Sequence, residues 1–292
     1  MRSSVFGTVC LSLAASIWGG MYVVSKYVLE FIPPFTLLWL RYVIAFLLLA
    51  AILFVTGHYK VEKKDWPLFV WIGFIGYFVS VGTQFVGTKY SDAHTGALIT
   101  SAAPAFILFF ARLLLKESLT ARKLISLLLS TVGVVTVIGW GIKGDSNFWG
   151  NISLVIAAVT WALLSVFAKK GSERYSPLSI TTYSLLFAIV FTTPVMMWEL
   201  ETQPADFLSS PLVWWGILYL GIVSTAGAFF LWNKGMKLMD AGTGSLFFFF
   251  QPVVGSFLGW LLLNEHLDWN FFAGGVLIVA GVIIATLQPR KT

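Results

Sequence analysis

Charge is what this chain of 292 residues has least of: 11% of it is Asp, Glu, Lys or Arg, against about 25% in soluble domains. With 58% hydrophobic residues and a mean hydropathy of +0.86, that scarcity excludes a water-soluble fold. Cysteine is nearly absent as well. Cys10 stands alone, so no intrachain disulfide can form. No GxxxxGK[ST] loop is present to cradle a nucleotide phosphate, so this chain does not hydrolyse ATP. No Cys/His cluster has metal-ligand spacing, and no deep Ser/His/Asp set supports intramembrane proteolysis. Neither a cofactor nor a metal is expected, and an enzyme is the weakest of the broad classes. The thirteen Asp and Glu residues fall in loops or near the ends of apolar runs, and His58, His94 and His266 are no deeper. Buried carboxylates are the usual proton relays of ion-coupled carriers. Their absence argues against that mechanism, leaving sodium held by carbonyls or proton entry at Glu30 or Asp240.

What the chain does have is ten apolar runs of membrane-spanning length, at 5–29, 34–56, 67–88, 94–115, 121–141, 149–169, 177–198, 211–234, 242–263 and 270–288. The first is too long for a cleaved signal peptide and reads as a retained span. The net charge of +6 invites nucleic acid as a partner, but the basic residues sit in short loops between the runs. With a cytoplasmic N-terminus, fifteen of them fall on the inner side and only Lys26, Lys89 and Lys143 on the outer. The positive-inside rule therefore puts both termini in the cytoplasm of a multi-pass protein of the plasma or inner membrane. The bilayer is a partner; nucleic acid is not.

One motif occurs twice. Asp92-Ala93-His94-Thr95-Gly96 through Pro104 to Glu117 returns as Asp240-Ala241-Gly242-Thr243-Gly244 through Pro252 to Glu265, 148 residues on. Between 92–119 and 240–267, 12 of 28 positions are identical. Trp18, Lys26 and Pro34 recur as Trp161, Lys169 and Pro177 at a spacing of 143. Five spans per half is an odd number, so the second copy must lie inverted. The expected fold is an all-α integral membrane protein of ten transmembrane helices in two inverted five-helix repeats, 1–143 and 144–292. Inverted halves can rock about a shared site, the architecture of a carrier.

Polar and aromatic residues at mid-span mark that site, because polar groups in lipid are costly. Trp18, Tyr22 and Lys26 share one face of the first span; Trp161, Ser165 and Lys169 share the matching face of the sixth. Trp18 and Trp161 are expected at two ends of one central chamber. Trp39, Trp66, Trp149, Trp198 and Trp269 lie near span ends and suit an interfacial belt. Lys26 and Lys169 are close enough to span ends to snorkel. Arg41 sits about 10 Å into the second span, with Ser184 as its counterpart. It either binds a substrate carboxylate or clamps a helix end; the sequence leaves both open. Tyr77, Gln84, Thr100, Ser101, Tyr183, Trp232, Asn233 and Gln251 complete a candidate substrate cavity drawn from many spans. Singly, each is also a helix–helix tie of about 0.6 kcal/mol. Pro104 and Pro252 match in depth and should kink their helices as hinges or static bends. Gly255 and Gly259 form a GxxxG pair for close helix packing. Glu117 to Thr120 and Glu265 to Asp268 read as structural corners that cap the next helix.

These residues together resemble the EamA-type members of the drug/metabolite transporter superfamily over essentially the whole chain. The resemblance rests on Ile17-Trp18-Gly19-Gly20 with Lys26, Pro33, Pro34 and Arg41. It continues in Asp92-Ala93, Pro104, Lys116-Glu117-Ser118-Leu119 and Gly133, and in the second copies Asp240-Ala241, Pro252, Glu265 and Gly281. It implies ten spans in two inverted repeats, cytoplasmic termini and frequent export of amino acids or other metabolites. The second copy departs from the pattern at Ser184 and at Trp161-Ala162, so roles carried there are asymmetric. The expected function is export of small organic metabolites by alternating access through a midplane cavity. Two alternatives stand beside it: extrusion of drugs or hydrophobic cations, and a non-transporting membrane scaffold. Sugar-phosphate transport fits less well, since only Arg41 is a deep cation. Whether the chain works as a monomer or homo-oligomer is open.

Overall fold

A computed structural model describes residues 2–57, 60–90, 99–138, 148–202, 210–263 and 269–286. Among them every regular element is helical, as a bilayer demands of a chain that must satisfy its own backbone. In chain order, α1 is Arg2–Val28, α2 Pro34–Thr56, α3 Lys63–Tyr90, α4 Ala103–Leu114 and α5 Ala121–Ile138. The second half follows with α6 Phe148–Gly171, α7 Pro177–Thr202, α8 Pro211–Leu238, α9 at 241–263 and α10 Trp269–Thr286. Six of these, α1, α2, α3, α6, α7 and α8, are long and apolar enough to cross a membrane. Shorter apolar helices lie at Ala103–Leu114 and Phe272–Thr286. Proline opens α2, α7 and α8, where its missing N–H costs nothing. Gly57 closes α2 in the left-handed conformation at φ 70°. Large apolar side chains such as Phe54, Val55, Leu113, Leu128, Trp149 and Val276 stand exposed around the outside, the surface a lipid solvent would cover.

Two helices widen at mid-length. The middle of α3, Ile72–Val81, and of α8, Tyr219–Gly227, is wound as π-helix. A wider turn leaves carbonyls for side-chain donors, and such segments gather at functional sites. Tyr42 donates its hydroxyl to the Tyr77 carbonyl at 2.7 Å, and Trp18 Nε1 donates to the Ser224 carbonyl at 3.0 Å.

Close helix approach follows the repeat. Gly235 of α8 leaves room for Leu11 and the Gly7 carbonyl of α1; Gly87 of α3 does the same for Leu154 and the Gly150 carbonyl of α6. Gly73 of α3 lies against the Ser184 carbonyl of α7, and Gly221 of α8 against the Arg41 carbonyl and Ile44 of α2. A Cβ at Gly73 would fall 2.6 Å from the Ser184 oxygen.

Several expectations change. Lys26 and Lys169 do not snorkel: Lys26 Nζ donates to the Thr88 carbonyl at 3.0 Å near the end of α3. Lys169 Nζ donates to the carbonyls of Met236, at 2.9 Å, and Met239 at the end of α8. Each lysine places its charge at the negative end of a helix, where a cation is favoured. Trp39 and Trp66 are half-buried and packed against other helices. Trp39 Nε1 donates to Thr193 Oγ1 at 3.0 Å, and Trp66 packs on Tyr183 and Phe187. The helix α7 runs to Thr202, past its expected end at 198, and so carries Glu199 inside the protein. The copies of the motif at 92–96 and at 265–268 lie outside the described residues.

Candidate functional site

Between α1, α2, α3, α6, α8 and α9, with Thr100 just before α4 and Ala103 at its start, lies a narrow cavity of about 30 Å³. One wall is aromatic. Trp18 and Trp161 meet edge-on at 90° with ring centroids 5.1 Å apart, so they form a single wall and not the two ends of a chamber. Phe229, Trp232 and Phe248 pack around Trp18 at 5.7, 5.3 and 6.1 Å. Each tryptophan lies near the middle of its helix, so the two reach the same level of the bundle.

Another wall, beside it, is polar. Gln84 Nε2 donates to Tyr22 Oη at 2.7 Å, and Tyr22 Oη shares a hydrogen bond with Thr100 Oγ1 at 2.9 Å. Arg41 lies within this wall and is fully buried. Its Nε donates to Thr225 Oγ1 at 2.6 Å, Nη2 to Ser224 Oγ at 3.3 Å, and Nη1 to Met21 Sδ at 3.7 Å. Thr225 can accept because its own hydroxyl proton goes to the Leu220 carbonyl, five residues back along the widened turn of α8. The guanidinium carbon stands 5.2 Å from the Phe85 ring centroid and 6.0 Å from that of Phe229. Among the described residues no carboxylate pairs with it.

Of the residues expected at the site, Trp18, Arg41, Gln84, Thr100, Trp161 and Gln251 line the cavity, and Tyr22 braces Gln84 and Thr100 from behind. Others form a supporting layer. Trp232 Nε1 donates to Ser165 Oγ at 3.3 Å, and Asn233 Nδ2 donates to Thr181 Oγ1 at 2.9 Å and to Tyr77 Oη at 3.5 Å. The Tyr77 ring stacks on Phe229 at 4.7 Å. Ser101 is buried without reaching the cavity, and Tyr183 packs against Trp66 and Phe69, away from it. Sequence reading missed Met21, Ser80, Val81, Ala103, Ala157, Ala158, Phe229 and Phe248. Helical spacing held the signal for all of these: Met21 is three residues from Trp18, Ala157 and Ala158 four and three from Trp161, and Ser80 and Val81 four and three from Gln84. Ala103, Phe229 and Phe248 are each three from Thr100, Trp232 and Gln251 respectively.

The two prolines sit where their helices change. Pro104 is the second residue of α4, after a turn at Ser101–Ala102. Pro252 follows a 3-10 segment, Leu246–Phe249, that divides Ala241–Ser245 from Phe250–Leu263 within α9. Gly255 packs beside the Gly19 carbonyl of α1. At the end of the bundle holding the start of α9, Glu117 accepts the backbone N–H groups of Ala241 at 2.7 Å and Gly242 at 3.1 Å. Lys123 Nζ stands 3.5 Å from both Glu117 and Asp240. Thr120 Oγ1 accepts from the Lys123 N–H, the cap expected of that corner. Among the described residues no group of His, Cys, Asp or Glu has the arrangement to hold a metal.

This arrangement, a cavity shared between two similar halves of an apolar helical bundle, is that of a membrane carrier. The model of the EamA-like transporter family matches the chain twice, over residues 5–139 and 148–287. The chain belongs to that family. It is similar to the uncharacterized transporter YetK of Bacillus subtilis, at 28% identity over 97% of this chain and 87% of the other. It is also similar to an uncharacterized transporter of Archaeoglobus fulgidus, at 24% identity over 96% and 97%. A solved crystal structure shares the fold at a TM-score of 0.81 and 21% identity, covering 99% of this chain and 98% of its own. The family is one of multi-pass membrane transporters, not of enzymes.

Proposed function

We propose that this protein exports small organic metabolites, amino acids or similar compounds, across the plasma or inner membrane by alternating access through the central cavity. In this reading ten spans form two inverted five-helix repeats, 1–143 and 144–292, with both termini cytoplasmic and Pro104 and Pro252 as hinges. One observation carries the reading: equivalent contacts recur at opposite ends of the bundle. Lys26 of α1 binds the end of α3 as Lys169 of α6 binds the end of α8, and the cavity lies between. A scaffold would need neither the second copy nor a polar cavity fed by both halves.

The test is counterflow in proteoliposomes containing only this protein, against a metabolite panel, with and without a pH gradient. Exchange of at least one zwitterionic solute is expected, responding to its own gradient and little to pH, since no carboxylate lines the cavity. Absence of exchange for every solute sinks the transport reading in favour of a scaffold. Impermeant labelling of single cysteines in a Cys10-free background tests the orientation, with Lys63→Cys and Lys116→Cys protected in intact cells and Asp145→Cys and Gln203→Cys labelled. Extrusion of hydrophobic cations draws support from the aromatic wall, but the buried Arg41 beside it repels a cationic solute.

A further inference from the structure

A guanidinium removed from water without a counter-charge is costly, and proteins rarely keep one without a use. Arg41 is fully buried and lines the cavity, yet its partners are two neutral hydroxyls and a thioether. With five N–H donors on the group, the described side chains leave part of its capacity unused.

A structural role does not account for it. The contact it accompanies, α2 against α8, has an equivalent in α7 against α3, where Gly73 meets the Ser184 carbonyl as Gly221 meets that of Arg41. At that place the second interface closes on Ser184, with no buried cation among the described residues. The whole cradle is likewise missing from the other half: Arg41, Met21, Ser224 and Thr225 correspond to Ser184, Leu164, Gly76 and Tyr77. Frame contacts are duplicated here; the cation and its supports are not.

A second, independent observation points to a ligand in the same cavity. Trp18 Nε1 is satisfied by the Ser224 carbonyl, but Trp161 Nε1 is buried with no partner among the described residues, on a side chain only 8% exposed that lines the cavity. An unpaired buried donor calls for an acceptor.

We propose that the transported solute carries a carboxylate, anchored on Arg41 with Trp161 Nε1–H as a further donor, its apolar part against the Trp18–Trp161 wall. One fixed positive charge matches a single carboxylate and leaves a dianionic phosphate half-neutralised. This inference rests on the transport reading above, which supplies the site with a solute.

Three probes with one ring and three charges decide the matter: benzoate, benzamide and benzylamine, titrated up to tens of millimolar against thermal unfolding of the purified protein in detergent. Benzoate should raise the unfolding temperature and bind about tenfold or more tighter than benzamide, with benzylamine silent. Arg41→Gln should abolish the benzoate response and Arg41→Lys should keep a weakened one. Trp161→Phe, which keeps the ring and removes the donor, should weaken benzoate about two- to tenfold. Should Arg41→Gln fail to fold, the ranking of the three probes on the unaltered protein and the Trp161→Phe shift still decide. No response to benzoate, an equal response to benzamide or benzylamine, or a benzoate response unchanged in Arg41→Gln overturns the proposal. Counterflow separates the two readings. Exchange of amines or neutral solutes alone ends the carboxylate assignment and leaves transport standing. Arg41-dependent benzoate binding without exchange of any solute ends the transport reading alone.

Discussion

The halves on either side of the cavity share their frame and differ in their lining. Lys26 and Lys169 each bind the end of a helix, Gly87 and Gly235 each admit a leucine, and α3 and α8 each widen into a π-helical segment. Around the cavity, by contrast, Gln84 corresponds to Trp232, Thr100 to Phe248, Gln251 to Ala103 and Ser80 to Ala228. The first half contributes Arg41 where the second contributes Ser184. The frame is present twice: helix ends neutralised and close approaches kept clear. A solute, having no twofold symmetry, needs its anchor once.

If the frame is shared, damage to equivalent frame positions should be about equal and large. Gly73→Val places a branched side chain where a Cβ already meets the Ser184 backbone oxygen at 2.6 Å; Gly221→Val meets Ile44 at 2.8 Å. Both should cost at or beyond the upper end of the ~1–3 kcal/mol typical of overpacking. Loss of the monodisperse species in size-exclusion chromatography checks this. Gly73→Val is expected to be the worse, because a carbonyl cannot rotate aside as Ile44 can. A well-folded Gly73→Val would break the claim that the interface is close-packed.

The lining is tested by function rather than by folding. Trp18→Ala and Trp161→Ala should each lower counterflow by more than about tenfold, since each removes one face of the aromatic wall. Trp149, which is 71% exposed, should affect insertion or stability and not rate when changed to Ala. The same loss of rate in all three would remove the case for a tryptophan-lined site.

Next in size comes a difference between helix ends. Glu199 is 3% exposed and accepts from the N–H groups of Phe35 at 3.1 Å and Thr36 at 2.7 Å, and from Thr36 Oγ1 at 3.0 Å. The start of α2 thus takes a carboxylate from α7, the sign a helix N-terminus favours. Its repeat counterpart, Thr56, donates only to the Ile52 and Leu53 carbonyls of its own helix. Glu199→Ala should destabilise by about 1–3 kcal/mol, the cost of buried donors left unpaired. Thr56→Ala should stay within about 0.5 kcal/mol. Thermal unfolding of the two variants side by side reads the contrast.

How much of this was legible in the sequence depends on which physics wrote it. The all-helical class follows from apolar run length, and Trp18, Arg41 and Gln251 stood out because polar or indole groups at mid-span need a reason. Geometry was not legible. No spacing rule brings Trp18 and Trp161 into contact, since that depends on how α1 and α6 pack in the bundle. Glu199 was read as a loop acid because helix ends in sequence are set by composition. In the folded protein a carboxylate at the end of α7 is held by the N-terminus of α2, and the helix continues past it. Lys26 and Lys169 looked like snorkelling side chains because the carbonyls that hold them belong to other helices. The π-helical turns of α3 and α8 carry no sequence mark that the hydrophobic period reveals.

The smallest expected effect lies outside the spans, at the loop before α7. Tyr175 Oη donates to Asp65 Oδ2 at 2.6 Å and accepts from the Glu62 N–H at 3.2 Å, while Arg174 Nη1 pairs with Asp65 at 3.2 Å. The repeat counterparts of Asp65 and Tyr175 are Val213 and Ile32, so this tie exists at one end of the bundle only. Burial and then the adjacent Asp65 raise the Tyr175 phenol above its usual value near 10, because a phenolate there would face a carboxylate. A group whose pKa is raised on folding stabilises fully below its unfolded value and loses that contribution as pH rises through the folded one. The tie is therefore intact at neutral pH and weakens only above about pH 10. Tyr175→Phe should lower stability slightly at pH 7 and flatten the decline between neutral and strongly alkaline pH relative to the unaltered protein. Val213→Ala, at the matching place on the other end, should leave that alkaline decline unchanged. If Tyr175→Phe and the unaltered protein fall in parallel above pH 10, the phenol is not the titrating group, and this difference between the two ends has no electrostatic content.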